Sequence, residues 1–214
     1  MKFADRHDAG ERLARALEDL YAQEGVVLAI PRGGVVVGSV LARSLAWPLD
    51  LIIPRKIGAP QNPELAVGAV AQDGSAVFDR RLLGRLGLTE EELAPRLAVE
   101  RKEIVRRMRR YRGGEDYPRY RGTALVVDDG IATGYTALAA IGSIRRILAP
   151  ASVILAVPVA PPSTVLFLEP EVDRLVCLEA PDDFYAVGQF YERFDEVTDE
   201  EVVSLLEEYG RLGK

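Results

Sequence analysis

Ala124-Leu-Val-Val-Asp128-Asp129-Gly-Ile-Ala-Thr-Gly-Tyr-Thr136 is the stretch that decides how this chain folds. An apolar run stops at two adjacent carboxylates. A short loop containing glycine and threonine follows, and then an Ala/Ile/Leu-rich segment of helical character begins. A short continuous apolar run belongs to a parallel strand buried on both faces, so the segment reads as strand, turn at the strand's carboxyl end, and helix N-terminus. The first turn of a helix carries amides without intrahelical acceptors and the positive end of the helix dipole, and together these bind phosphate. Two carboxylates beside such a site would repel a bare phosphate. They fit a ligand whose sugar hydroxyls and a divalent cation lie between them and the phosphate, that is, a phosphorylated sugar.

On the N-terminal side of this stretch, residues 122–127 form the strand and Gly113-Gly114 breaks a long charged helix expected over about 89–112. Thr89 with Glu92 three residues on makes a capping box for that helix. Residues 65–71 and 76–78 flank Gln72-Asp73-Gly74-Ser75 as a hairpin turn. Residues 54–63 read as a polar Pro/Gly-rich loop carrying Arg55 and Lys56, and 48–53 as the strand before it. Residues 26–30 are a buried strand, Pro31-Arg32-Gly33-Gly34 a loop, and 35–45 a helix. Asp8 is the expected cap of a first helix whose apolar face is Leu13, Leu17, Leu20 and Tyr21, with Gly25 ending it. On the C-terminal side come a helix at 135–148, a strand at 152–157, a turn at 158–162, a helix at 163–168 and a strand at 175–178. This alternation predicts an α/β fold: a parallel sheet covered by helices on both faces, with ligands at the carboxyl ends of the strands. The tail differs. Residues 180–194 hold five aromatics without a clear period, and Thr198 with Glu201 opens a last helix through Leu205, Leu206 and Tyr209.

The chain of 214 residues is long enough for one domain with a substantial core. The expected division is a core of about 20–160, a hairpin segment of about 54–78, an inserted helix of about 89–112 and a tail of about 179–214. A net charge of −6 and a pI near 5.1 argue against nucleic acid as partner, despite the arginine-rich stretch 101–112, which reads as a solvated or dimer-facing helix surface. No apolar run approaches 18 residues, so no membrane partner and a cytoplasmic location are expected. Cys177 is the sole cysteine, which excludes an internal disulfide, and with the lone His7 it leaves no cysteine/histidine metal cluster.

Val126-Val-Asp128-Asp129-Gly-Ile131-Ala132-Thr133-Gly134-Tyr135-Thr136 resembles the phosphoribosyl pyrophosphate (PRPP) motif of type I phosphoribosyltransferases: apolar residues, an acidic pair, and a loop ending in Thr-Gly-x-Thr. The resemblance covers roughly residues 20–160 and implies a Rossmann-like sheet with a flap hairpin over the site and a C-terminal hood. It implies that Asp128 and Asp129 hold the ribose hydroxyls, directly or through Mg²⁺ and water, and that residues Ile131, Ala132, Thr133, Gly134, Tyr135 and Thr136 clamp the 5-phosphate. Mg²⁺ suits this role because it prefers oxygen ligands and retains waters. Arg32, Gly33 and Gly34 resemble the pyrophosphate loop, and the family implies a cis peptide between Pro31 and Arg32. Arg55-Lys56 resembles the basic pair that contacts departing pyrophosphate in adenine and orotate enzymes, sometimes across a dimer interface, and Lys56 joins Asp128 and Asp129 as a catalytic candidate.

Displacement at the anomeric carbon passes through an oxocarbenium-like state, so no side-chain nucleophile is needed. The 6-oxopurine enzymes carry an aspartate where this chain has Ala132, which argues against hypoxanthine or guanine and leaves adenine, uracil or other acceptors. Phe184 and Tyr185 are the candidates for a hood over the acceptor; the same aromatics would also serve simply to cover core. The implied function is transfer of the phosphoribosyl group from PRPP to a base-like acceptor by a homodimer. The competing readings are a PRPP-sensing regulator of the same fold and an enzyme acting on an unusual nucleophile.

Overall fold

The computed structural model describes residues 2–209. In chain order its elements are α1 (Arg6–Ala16), β1 (Gly25–Ala29), α2 (Gly33–Leu45), β2 (Leu49–Leu51), β3 (Arg55–Ala59), β4 (Asn62–Val70), β5 (Ala76–Phe78), α3 (Arg80–Leu86), α4 (Ala94–Arg112), β6 (Thr123–Val127), α5 (Tyr135–Ile147), β7 (Ser152–Val159), α6 (Pro162–Leu168), β8 (Arg174–Glu179) and α7 (Asp199–Tyr209). Five strands form a parallel sheet in the order β2-β1-β6-β7-β8. Period-two alternation sends Val27, Ala29, Leu125 and Val127 to a core built with α1, α2 and α7. Val26, Leu28, Ala124 and Val126 go to a second core beneath α5 and α6. Each fully buried Val, Leu or Ile contributes about 1.5–3 kcal/mol, so register is tightly specified: a one-residue slip would move both sets to the wrong face.

That register positions the site. Ala29 pairs with Val127 and Val127 with Ala156, so β1 and β6 end level and the loops that follow them lie side by side. The Ile30 amide donates to the Val127 carbonyl at 2.8 Å and holds the first loop there.

Several boundaries depart from the sequence expectation for identifiable reasons. The expected loop at 54–63 contains β3, which with β4 and β5 makes a separate antiparallel sheet. Its strand character is masked because Arg55 and Lys56 open it and Gly58 interrupts it. A Cβ on Gly58 would sit 2.2 Å from the Pro63 carbonyl oxygen, so glycine is what lets the hairpin close. The helix α3, capped by Asp79, is absent from the sequence expectation because it is too short to show a period. The Thr89–Glu92 capping box forms, but it heads a 3₁₀ turn at Glu91–Leu93, and the α-helix starts at Ala94. The cap of α1 is Asp5, whose carboxylate accepts from the amides of His7 and Asp8; Asp8 lies inside the first turn and pairs with Arg12. The strand β7 continues through Pro158 because β6 pairs with it only as far as Ala156, so the missing N–H removes no rung on that side. Among the described residues no helix is long and apolar enough to cross a membrane. The expected tail reaches 214, of which 210–214 lie outside the described residues.

Candidate functional site

The level ends of β1 and β6 bring Pro31-Arg32-Gly33-Gly34 against Asp128-Asp129. The Pro31–Arg32 peptide is cis, as the resemblance implied. A Cβ on Gly33 would lie 1.8 Å from Asp129 Oδ2, and one on Gly34 would lie 2.9 Å from Asp128 Cα and from the Val127 carbonyl oxygen. Only glycine lets the first turn of α2 approach the carboxylates this closely.

Asp128 accepts the Asp129 amide on Oδ1 at 2.8 Å. Desolvation, with the negative charge of Asp129 second, raises the Asp128 carboxyl well above the usual carboxylate range. Arg6 donates from Nε to Asp129 Oδ2 at 2.7 Å, and both side chains are largely covered, at 11% and 14% exposure. The same guanidinium donates to the Asp195 carbonyl at 2.7 Å and lies 3.8 Å from the centre of the Phe194 ring. Tyr191 donates its hydroxyl to the Asp129 carbonyl at 2.6 Å, and burial pushes its own ionisation up. Arg6 and Tyr191 are site residues that the sequence does not single out. No local signal marks Arg6, because its partner stands 123 positions away.

Past the carboxylates, Gly134 adopts φ +84° and heads α5, while the Ala132 carbonyl accepts from the Thr164 hydroxyl at 2.5 Å. The amides opening α5 have no acceptor within their own helix, which leaves them for an anion. A cavity of about 400 Å³ joins Asp128, Asp129 and Thr136 to Arg32, Gly33, Arg55 and Lys56. A second cavity, of about 560 Å³, lies on the other side of Lys56 and is walled by Ala132, Thr133, Tyr135, Thr164 and Phe167. One concavity thus offers a carboxylate pair, a helix N-terminus and several cations, the complement of a sugar bearing phosphates at two positions.

The model of the phosphoribosyl transferase domain matches residues 4–195. The chain belongs to this family. Two Mycobacterium tuberculosis proteins, whose names class them provisionally as phosphoribosyl transferases, are 43% identical over 213 residues. The alignment covers 98% of this chain and 47% of theirs, so the chain spans about half the length of these relatives. The crystal structure of TT1426 from Thermus thermophilus superposes with a TM-score of 0.80 at 41% identity, covering 98% of this chain and 99% of that one.

Within this phosphoribosyl transferase domain the tail meets the site differently from the expectation. Phe184 stacks on Phe190 with ring centres 5.1 Å apart, Tyr185 is 85% exposed, and neither lines the two cavities. The tail instead reaches the site through Tyr191, Phe194 and Asp195, and through Glu196, which pairs with Arg32. Asp199 stands 3.7 Å from the same guanidinium. The N-terminus is part of this cover: the Phe3 amide donates to Phe190, Glu192 donates to Phe3, and Arg193 donates to Ala4 at 2.8–3.0 Å. Ile131 is buried, with its amide on the Val159 carbonyl, and so shapes the loop from within. Among the described residues no group of three or more Asp, Glu, His or Cys side chains gathers as a metal site. The Asp128–Asp129 pair alone fits a hard cation that takes its remaining ligands from water and from a phosphorylated ligand.

Proposed function

We propose that this phosphoribosyl transferase domain moves the 5-phosphoribosyl group of PRPP onto a nitrogenous, base-like acceptor and releases pyrophosphate, using Mg²⁺. The observation that carries this reading is the convergence of Asp128-Asp129, Gly33-Gly34 and Arg55-Lys56 on one cavity beside the N-terminus of α5. In this reading the ribose hydroxyls lie on Asp128 and Asp129, whose charge stabilises the cationic ring. The 5-phosphate occupies the loop from Ala132 to Thr136. The C1–O bond breaks with its electron pair leaving on pyrophosphate, which Arg32, the amides at Gly33 and Gly34, and Lys56 receive. The acceptor's nitrogen lone pair makes the new bond from the opposite face, and its displaced proton passes to solvent. Bound Mg²⁺ would neutralise the diphosphate and ribose oxygens beside the two aspartates. Of the tail, Tyr191 and Glu196 come nearest to this reaction through their contacts with Asp129 and Arg32.

The decisive measurement is calorimetry with PRPP and Mg²⁺ on the wild type and on Asp128→Asn/Asp129→Asn. Loss of two charged contacts should weaken PRPP binding at least about tenfold. Equal affinities would remove the reading. Pyrophosphate release across a panel of bases then identifies the acceptor, and no release against any of them reassigns the site to a PRPP sensor.

The two glycines make a sharper comparison. A methyl at Gly33 meets side-chain atoms only, those of the Asp129 carboxylate and Arg6 Nε, whereas one at Gly34 meets backbone. Gly33→Ala should therefore lower PRPP affinity about tenfold or more while leaving the melting temperature within about 2 °C of wild type. Gly34→Ala should lower both. A Gly33→Ala protein with normal affinity would show that Asp129 does not need its present position.

A further inference from the structure

The helix α4 carries the only dense arginine run in the chain, and it lies outside the loops and the motif that define the candidate site. Its buried apolar residues are Leu97, Ile104, Met108 and Tyr111. One position before each of the first three, a second row runs along the helix: Arg96, Glu103 and Arg107, with Glu100 between. Spacings of four, three and four put these side chains on one face. All four are half-buried, whereas Ala98, Val99, Arg101, Lys102, Arg106, Arg109 and Arg110 are exposed. A solvated helix face has no reason to half-bury a charged row, so the row packs against something.

What it packs against is the candidate site. Arg96, Glu100 and Arg107 line the same 400 Å³ cavity as Gly33, Lys56 and Asp128. Glu100 accepts from Arg55 Nε at 2.8 Å and thereby holds that flap cation at the cavity. Arg96 donates to the Pro60 carbonyl at the hairpin tip at 2.9 Å. Arg107, at 17% side-chain exposure, donates to Glu103 at 2.8 Å, but Glu103 is shared with Arg106 and does not neutralise both. The lining thus holds five cations (Arg32, Arg55, Lys56, Arg96 and Arg107) against three carboxylates (Glu100, Asp128 and Asp129). In the transfer reading the two aspartates face the sugar, so the five cations lie on the diphosphate side, with Glu196 and Asp199 holding Arg32 and Glu103 holding Arg107 from outside the lining. Guanidinium groups match phosphate oxygens by planar, two-pronged hydrogen bonding, which lysine cannot copy.

We propose that α4 forms one wall of the diphosphate subsite, with Arg96 and Arg107 as diphosphate-binding residues and Glu100 as the residue that positions Arg55. The assignment rests on the transfer reading for what the cavity holds, and it is tested with a probe that does not require transfer. Inorganic pyrophosphate with Mg²⁺ is titrated calorimetrically into the full chain. Arg96→Gln and Arg107→Gln should each weaken pyrophosphate binding about tenfold, and the double variant about a hundredfold. Lys102→Gln, which removes the same charge from the exposed side of α4, should stay within about twofold. Arg107→Lys should recover only part of the loss.

The proposal is overturned if the double variant binds pyrophosphate within about twofold of wild type, or if Lys102→Gln weakens it as much as Arg107→Gln does. Should Arg107→Gln fail to fold, Arg96→Gln and Arg107→Lys carry the same decision. The two readings fail separately. Pyrophosphate binding that depends on Arg96 and Arg107, beside PRPP binding indifferent to Asp128 and Asp129, would keep this assignment and remove phosphoribosyl transfer. PRPP binding that needs the aspartates but ignores both arginines would do the reverse.

Discussion

Lys56→Ala is expected to cut the rate of pyrophosphate release at saturating PRPP by about 100- to 1000-fold, the usual loss when one group aimed at developing charge is removed. Lys56 stands second in β3, opposite Ala69, and its exposed side chain lies where the two cavities meet. Among the described residues it makes no ion pair within 4 Å, unlike Arg55, which Glu100 holds through Nε at 2.8 Å. A mobile point charge contributes most where charge builds up, which in the proposed transfer is the bridging oxygen of the departing diphosphate. The loss should therefore appear in kcat, with the KM for PRPP changing by less than about fivefold, because ground-state contacts with Arg32 and the glycine amides remain. Initial rates of pyrophosphate release give both numbers. Turnover within about threefold of wild type would make Lys56 a solvated flap charge without a part in the reaction.

Arg112→Ala should destabilise the fold by about 3–5 kcal/mol, because it leaves a carboxylate buried without its counter-ion. Asp50, in β2, is 0% exposed, and Arg112 grips it with Nε to Oδ1 at 2.6 Å and Nη2 to Oδ2 at 2.9 Å. The guanidinium also donates to the Asp116 carbonyl at 3.0 Å and lies 3.6 Å from the centre of the Tyr117 ring, whose hydroxyl donates to the Leu51 carbonyl. This network ties the end of α4 to the outermost strand of the parallel sheet. For a chain of this length, 3–5 kcal/mol corresponds to a fall in melting temperature of roughly 10 °C. Asp50→Asn/Arg112→Met, which removes both charges, should recover most of the fall. Thermal denaturation of the three proteins decides the matter. An Arg112→Ala protein melting within about 2 °C of wild type would show that the pair is dispensable.

The parts of the molecule that are legible in the sequence are those specified by short local runs. Val126–Asp129 announces a buried strand ending in charge, whereas its pairing with the strand at 25–29 is given by the structure. The family resemblance is what groups Asp128, Asp129, Gly33, Lys56 and Thr136, and they do line one cavity. The strand β3 is hidden because an edge strand beginning Arg-Lys and containing glycine looks like a loop, and only Ile57 and Ala59 are buried in it. Arg6 on Asp129 and Glu196 on Arg32 are beyond reach for a different reason. Ion pairs between segments far apart in the chain leave no trace in spacing or composition. The aromatic tail is distinctive as a sequence, but an aromatic cluster does not say which of its members face inward. Here the structure selects Tyr191 and Phe194 over Phe184 and Tyr185 as neighbours of Arg6 and Asp129.

The stitching of residues 3–6 to the tail also bears on the order in which this domain folds. Arg193 reaches Asp5 across 188 residues of sequence, so nearly the whole chain is enclosed in a single loop. Contacts of such separation cost the most closure entropy and form late, after the local helices and neighbouring strands have condensed. Synthesis adds its own delay, because Phe194 and Asp195 emerge from the ribosome long after Arg6. A growing or partly folded chain would hold its strands and its acidic pair before it holds the arginine that caps Asp129. The arrangement around that aspartate is therefore among the last parts of this domain to form.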